Sequence, residues 1–184
     1  DMTRARAAAG GGQVKIVQDY RELVTDPAID AVVVATPVQM HEEMAVAALS
    51  AGKHVLCEKP LSNSVEGCRR ILDAASASGR TLAVGFNHRY YPSVKFLKQS
   101  LDEGRIGTHD HVRVFGGHDG LSNFRAHWMY KGEISGGGAM MDVGIHVTDL
   151  ARYILGDVQE VYGVATNRIW HVDRSEDNAV AIFK

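Results

Sequence analysis

Two features carry the strongest chemical signal in this sequence: Lys59, and the row Asp142, His146 and Asp149. Lys59 comes directly after the apolar run His54-Val55-Leu56-Cys57. A lysine at the mouth of a crevice, against apolar walls and near other cations, can have its pKa lowered enough to exchange protons near neutrality. The ordinary alternative is a surface lysine paired with Glu58 or Asp73. Asp142, His146 and Asp149 recur at i, i+4 and i+7, which places them on one face of a helix. Beside them Val143, Val147, Leu150 and Ile154 form a separate apolar stripe expected to face the core. The Asp-His-Asp row is therefore either solvated surface, with His146 paired to a neighbouring acid, or the wall of a site. Gly136, Gly137 and Gly138 precede it and allow close backbone approach where a helix start gathers partial positive charge. An Asp and a His four residues apart can also ligate a metal, yet no third or fourth ligand stands at useful spacing.

These residues need elements to position them. Residues 13–18 alternate like a short strand, and Tyr20 to Leu23 reads as a short helix. Ala31 to Ala35 is apolar without alternation, the pattern of a parallel strand covered on both faces. His41 to Ala51 reads as a helix stopped by Gly52. The unit repeats with a strand at His54 to Cys57, a helical stripe through Val65, Cys68, Leu72 and Ala75 ending at Gly79, and a strand at Leu82 to Phe86. This alternation predicts a doubly wound, Rossmann-type parallel sheet over residues 1–92. The pattern changes after Pro92. A helix through Val94, Leu97 and Leu101 is followed by a strand at residues 110–117, a polar loop, and a helix from about Gly138 to Leu155. Two antiparallel strands, at Val158 to Thr166 and Asn178 to Phe183, complete an α+β part over residues 93–184. The open face of that second sheet, apolar at Val161 and Val164, suggests a subunit interface.

In an open parallel sheet, ligands bind beyond the carboxyl ends of the strands. Those ends carry Thr36, Pro37 and His41, then Glu58, Lys59 and Pro60, then Asn87, His88, Arg89 and Tyr90. Trp128, Tyr130 and Phe124 could line a sugar pocket by stacking or cap the core. His109, His111 and His118 read as surface or core histidines rather than a metal set. Gly10-Gly11-Gly12 lacks a G-x-G-x-x-G pattern and lies between a helix and a strand, the wrong order for a phosphate loop.

Composition narrows the function. The chain of 184 residues is 45% hydrophobic and 23% charged, with a net charge of -2. No electrostatic field favours nucleic acid or an anionic membrane, and no run of 18 apolar residues would span a bilayer. Cys57 and Cys68 fit no metal or redox spacing and read as small buried hydrophobes in a reducing, cytoplasmic setting.

The run from Ala51 to Leu61, Ala-Gly-Lys-His-Val-Leu-Cys-Glu-Lys-Pro-Leu, resembles the signature of the glucose-fructose oxidoreductase, inositol dehydrogenase and rhizopine catabolism (Gfo/Idh/MocA) family. Ile29 to Pro37, Gly85 to Pro92 and Gly136 to His146 resemble further family motifs in the same order. The resemblance implies a dehydrogenase that moves a hydride between NAD or NADP and the CH-OH group of a sugar, inositol or related polyol. It implies Lys59, Asp142 and His146 as the catalytic set around the substrate carbon, with Lys59 or His146 taking the hydroxyl proton. Thr36, Pro37, Glu58 and Asn87 would lie along the nicotinamide and its ribose, His41 at the cofactor's edge, and Arg89 and Trp128 toward the substrate. A glycine-rich turn and its strand are not among these residues, so the chain resembles the middle of such a protein. Asp1 could be the acidic residue for the adenosine ribose and would favour NAD, although Arg4 and Arg6 lie close enough to meet a 2′-phosphate. A homo-oligomer, dimer or tetramer, goes with the resemblance. Two other functions share the fold: a glycosidase that uses bound NAD transiently, and a non-catalytic cofactor-binding homologue. The intact Glu-Lys-Pro lysine favours the dehydrogenase.

Overall fold

The computed structural model describes residues 2–10, 14–118 and 127–184. Asp1 and Phe124, both singled out in the sequence, lie outside the described residues. A short helix, α1, spans Met2–Ala8, and one turn, α2, spans Arg21–Val24. Three parallel strands follow, β1 (Ala31–Val34), β2 (His54–Cys57) and β3 (Leu82–Val84), side by side in that order. The register pairs Val32 with Val55 and Leu56 with Ala83. Helix α3 (His41–Ser50) connects β1 to β2, and α4 (Val65–Ser78) connects β2 to β3. Ser64 starts α4 by accepting a hydrogen bond from the Gly67 amide at 3.0 Å, and Gly79 ends it in the left-handed conformation, φ 63°.

The core lies between this sheet and the two helices. Val34, Val55 and Cys57 point inward from the strands to meet Ala45, Ala48 and Leu49 of α3 and Ile71 of α4. The two alanines bring the α3 backbone close to the sheet. Burial pushes the Cys57 thiol up to about 12, so it acts as a small hydrophobe rather than a nucleophile.

The second part contains α5 (Pro92–Asp102), the single turn α6 (Gly132–Ser135), and a long helical segment. That segment opens with a π-helical turn, Met140–Gly144, and continues as α7 (Ile145–Leu155). Strands β4 (Val161–Thr166) and β5 (Asn178–Phe183) pair antiparallel, Val164 opposite Val180.

Several expectations are corrected. Residues 14–17 and 110–117 are irregular rather than extended strands. Alternation marks a segment that could be a strand, but a strand also needs a neighbour for its N–H and C=O groups, and none is paired with these segments. The apolar run of β1 predicts cover on both faces, yet Val33 and Leu56 are 66% and 44% exposed and form a bare strip with Ala83. Val161 and Val164 stand an odd number of residues apart, which puts them on opposite faces of β4. The bare face of the second sheet is instead built from Tyr162, Val164, Val180 and Ile182. Along α7, the deeply buried residues are His146 and Asp149, while the Val143, Val147, Leu150 and Ile154 stripe is only half-buried.

Leu49 has no exposed surface and joins α3 to both neighbouring layers. Leu49→Ala is expected to lower unfolding free energy by about 2–5 kcal/mol. Urea unfolding checks this; a change within about 0.5 kcal/mol, the usual range for surface substitutions, would remove Leu49 from the core.

Candidate functional site

The loops that leave β1 and β2 converge on the start of the α7 segment, and a cavity of about 200 Å³ lies between them. Thr36 and Val38 line it from the β1 side, and Glu58, Lys59 and Pro60 from the β2 side. Trp128, Gly137, Met141 and Asp142 close it from the second part of the chain. This is smaller than the roughly 300–1,000 Å³ of a drug-sized ligand pocket, so it suits one ring system rather than a whole dinucleotide.

Lys59 spans the cavity. Its Nζ donates to the main-chain oxygen of Asp142 at 2.9 Å and approaches Asp142 Oδ1 at 3.5 Å. Both side chains are mostly shielded, 21% and 15% exposed, so the pair works at lower dielectric than a surface ion pair. The second carboxylate oxygen of Asp142 accepts from His118 Nε2 at 3.2 Å. Asp142 sits within the π-helical turn, a form that recurs at functional positions because it displaces backbone groups from the regular ladder.

His146 lies behind this pair, stacked on His88 with ring centroids 3.8 Å apart and planes at 15°. Phe86 meets the same ring edge-on at 6.3 Å. His146 is 8% exposed, and its Nδ1 has no hydrogen-bond partner among the described residues. Burial, with the nearby Lys59 and then His88 adding to it, lowers the imidazole from 6.5 to about 4. It is therefore neutral at pH 7 and able to accept a proton. It does not line the cavity itself.

Asp149, the third member of the row, turns to Arg89. Arg89 Nε donates to Oδ2 at 2.7 Å and its terminal nitrogen to Oδ1 at 2.5 Å, a bidentate pair with the carboxylate buried. The guanidinium also covers the Tyr153 ring at 4.9 Å. Arg89, expected at the substrate's edge, ties the Asn87–Tyr90 turn to α7 through this pair and does not line the cavity. His41 is likewise engaged with main-chain groups. It is 1% exposed, and its ring nitrogens face the carbonyl oxygens of Pro60 and Thr36, each at 2.8 Å. It lines the cavity and braces the two loops that border it.

The remaining expected residues divide. Thr36, Glu58 and Trp128 line the cavity. Pro37 precedes the three-ten turn Val38–Met40, and Asn87 begins the turn after β3; neither lines the cavity. Sequence reasoning missed His118 and left His88 without a role. His88 stood in a polar strand-end run and was legible there. His118 sat in a segment read as a strand, and no local spacing tied it to Asp142. The glycine-rich helix start, where close backbone approach was expected, is taken by Glu176: Oε2 accepts from Gly138 N at 3.0 Å and Oε1 from Met140 N at 2.7 Å. Among the described residues no group of side chains could hold a metal, and no helix is long and apolar enough to cross a membrane.

Comparisons with known proteins fit this geometry. Residues 1–86 match the family model described as an oxidoreductase family with an NAD-binding Rossmann fold, and residues 94–184 match the GFO/IDH/MocA C-terminal domain. Levoglucosan dehydrogenase of Pseudarthrobacter phenanthrenivorans is 36% identical over 167 residues, which is 90% of this chain and 43% of the relative. Inositol 2-dehydrogenase 1 of Saccharopolyspora erythraea is 37% identical over 97% of this chain and 49% of its own length. A solved levoglucosan dehydrogenase in complex with NADH and levoglucosan superimposes with a TM-score of 0.86 at 31% identity, over all of this chain and 52% of that one. The chain spans about half the length of the relatives it matches.

The histidine shift predicts a pH effect on stability. The folded-state value lies below the unfolded one, so the unfolded chain takes up the proton first. Stability should fall by roughly 3 kcal/mol as pH drops from about 6.5 through about 4. His146→Gln should flatten that slope in urea melts at several pH values, and an unchanged slope would assign the acid sensitivity elsewhere.

Proposed function

This chain belongs to the Gfo/Idh/MocA oxidoreductase family, and from that membership we propose that it forms the central part of an NAD(P)-dependent dehydrogenase acting on a CH-OH group of a sugar, inositol or related polyol. The observation that carries the reading is the reach of Lys59 from the end of β2 to Asp142, across one cavity and two parts of the chain. In this reading the division falls between residues 92 and 93, with cofactor on the first side and substrate contacts on the second. The interval between the two family-model matches supports it.

The nicotinamide, when bound, supplies the acceptor for the substrate hydride. Thr36, Pro37, Glu58 and Asn87 are assigned to its neighbourhood, and two features support the fit. The strand-end loops open on the cavity, and Gly85 leaves room for the Glu58 carboxylate, which a Cβ would meet at 3.0 Å. NAD is favoured over NADP. Trp128 offers an apolar wall for a sugar face. Lys59 keeps an N–H for the substrate oxygen after its contacts with Asp142, because an ammonium carries three donors. Of the two candidate bases, His146 stays unprotonated through the neutral range and Lys59 lines the cavity. We therefore place Lys59 on the hydroxyl oxygen, with Asp142 balancing the lysine charge and the proton passing to Lys59 or to His146 behind it. Arg89 holds the turn that carries His88 rather than touching substrate. A homo-oligomer formed through the Tyr162, Val164, Val180 and Ile182 face, and a cytoplasmic location consistent with free Cys57 and Cys68, complete the proposal.

In the complete protein, Lys59→Ala should lower kcat by about 10²–10⁴-fold while NADH affinity, read by fluorescence titration, changes only a few-fold. Equal turnover in the variant would take Lys59 out of the reaction.

A further inference from the structure

We propose that Glu176 is a positioning residue for the reaction, resting on the dehydrogenase reading above: its carboxylate fixes the π-helical turn so that Asp142 meets Lys59. Three consecutive amides at the start of this helix are held by one residue. Gly138 N and Met140 N donate to the two carboxylate oxygens at 3.0 and 2.7 Å, and Ala139 N donates to the main-chain oxygen of Glu176 at 2.8 Å. Met140 is the first residue of the π-helical turn, and Asp142 stands two residues further on. The same stretch forms the cavity wall through Gly137, Gly138, Met141 and Asp142.

Most helix starts are capped by a side chain a few residues away, which stabilises the turn but does not fix it against anything else. Here the cap comes from a residue 38 positions later, at the head of β5. The head of β5 is itself anchored. Asp177 Oδ2 accepts from the amides of Arg168, Ile169 and Trp170, and Asp177 N donates to Thr166 O at 2.9 Å. Close approach is obligatory as well: a Cβ on Gly138 would lie 1.9 Å from Glu176 O, and one on Gly132 would lie 2.2 Å from Arg174 O. The adjacent acids thus face opposite ways, Asp177 into its own hairpin and Glu176 into the helix that carries Asp142 and His146. A displacement on the order of an ångström at a reacting group can cost about a hundredfold in rate, so a partial loosening of this contact should be visible in turnover.

The test uses the complete enzyme. Glu176→Gln keeps the shape but sets an amide NH₂ against one backbone N–H. It should lower kcat about tenfold and leave the NADH dissociation constant, measured by fluorescence, within about twofold. In a Lys59→Ala background the same change should have little further effect, since the geometry it maintains is already lost. Glu176→Asp, one methylene short, should fall between wild type and Glu176→Gln if a carboxylate at that place is what matters. A lowered melting temperature with wild-type kcat in every Glu176 variant, or full additivity with Lys59→Ala, would make Glu176 an ordinary structural cap and overturn the inference. If the wild-type enzyme oxidises no sugar or polyol with NAD or NADP, the functional reading fails first, and the parent protein alone reveals it.

Discussion

The ammonium of Lys59 is held by oxygens from a residue 83 positions away, and most of the site's order follows from that reach. A lysine placed among apolar walls must find acceptors or give up its proton. Asp142 supplies a carbonyl and a carboxylate oxygen together, which only works if its turn is pushed toward the end of β2. The constraint therefore runs in two directions. The parallel sheet must deliver Lys59 to the mouth of the crevice, and the second part of the chain must deliver a helix start rather than a helix side. His146 owes its neutral state first to burial, and the Lys59 charge that Asp142 holds in place adds to it by disfavouring a second cation behind it.

Two ion pairs work on opposite sides of this centre and differ in kind. Lys59 with Asp142 is a loose pair that leaves a donor pointing into the cavity. Arg89 with Asp149 is a bidentate pair that closes both carboxylate oxygens of a buried acid. The difference suits their places: one borders the space where a substrate would sit, the other locks the floor beneath it. His41 does a related job for the loops, using both ring nitrogens on main-chain oxygens at the ends of two strands.

Much of this was legible in the sequence. The apolar runs of β1 and β2, the helical stripe ending at Gly79 and the shift of pattern after Pro92 each reflect local periodicity, and each produced the expected element. Lys59, Asp142 and His146 were also recoverable, the first from its place after a strand and the others from spacing on a helix. Local pattern failed where the outcome depended on a partner distant in the chain. Residues 110–117 alternate in part like a strand but pair with no strand among the described residues. Spacing left the Asp-His-Asp row as either solvated surface or a site wall, and it is the buried side, because Arg89 neutralises Asp149 and His88 covers His146. Nothing in the spacing of Arg89 or His41 shows that their polar atoms are consumed internally, and nothing near Gly138 announces Glu176.

The face-to-face stack of His88 on His146 has a consequence for heredity as well as chemistry. Two imidazoles this close cannot both carry charge at low cost, so the residue at position 88 adds, after burial and Lys59, to what decides how readily position 146 takes up a proton. The two sites, 58 positions apart and on different elements, are therefore a single unit of variation. Drift at one is filtered by its effect on the other, and a descendant working in a more acidic or more alkaline niche could retune its chemistry by changing position 88 while the residue at 146 stays as it is.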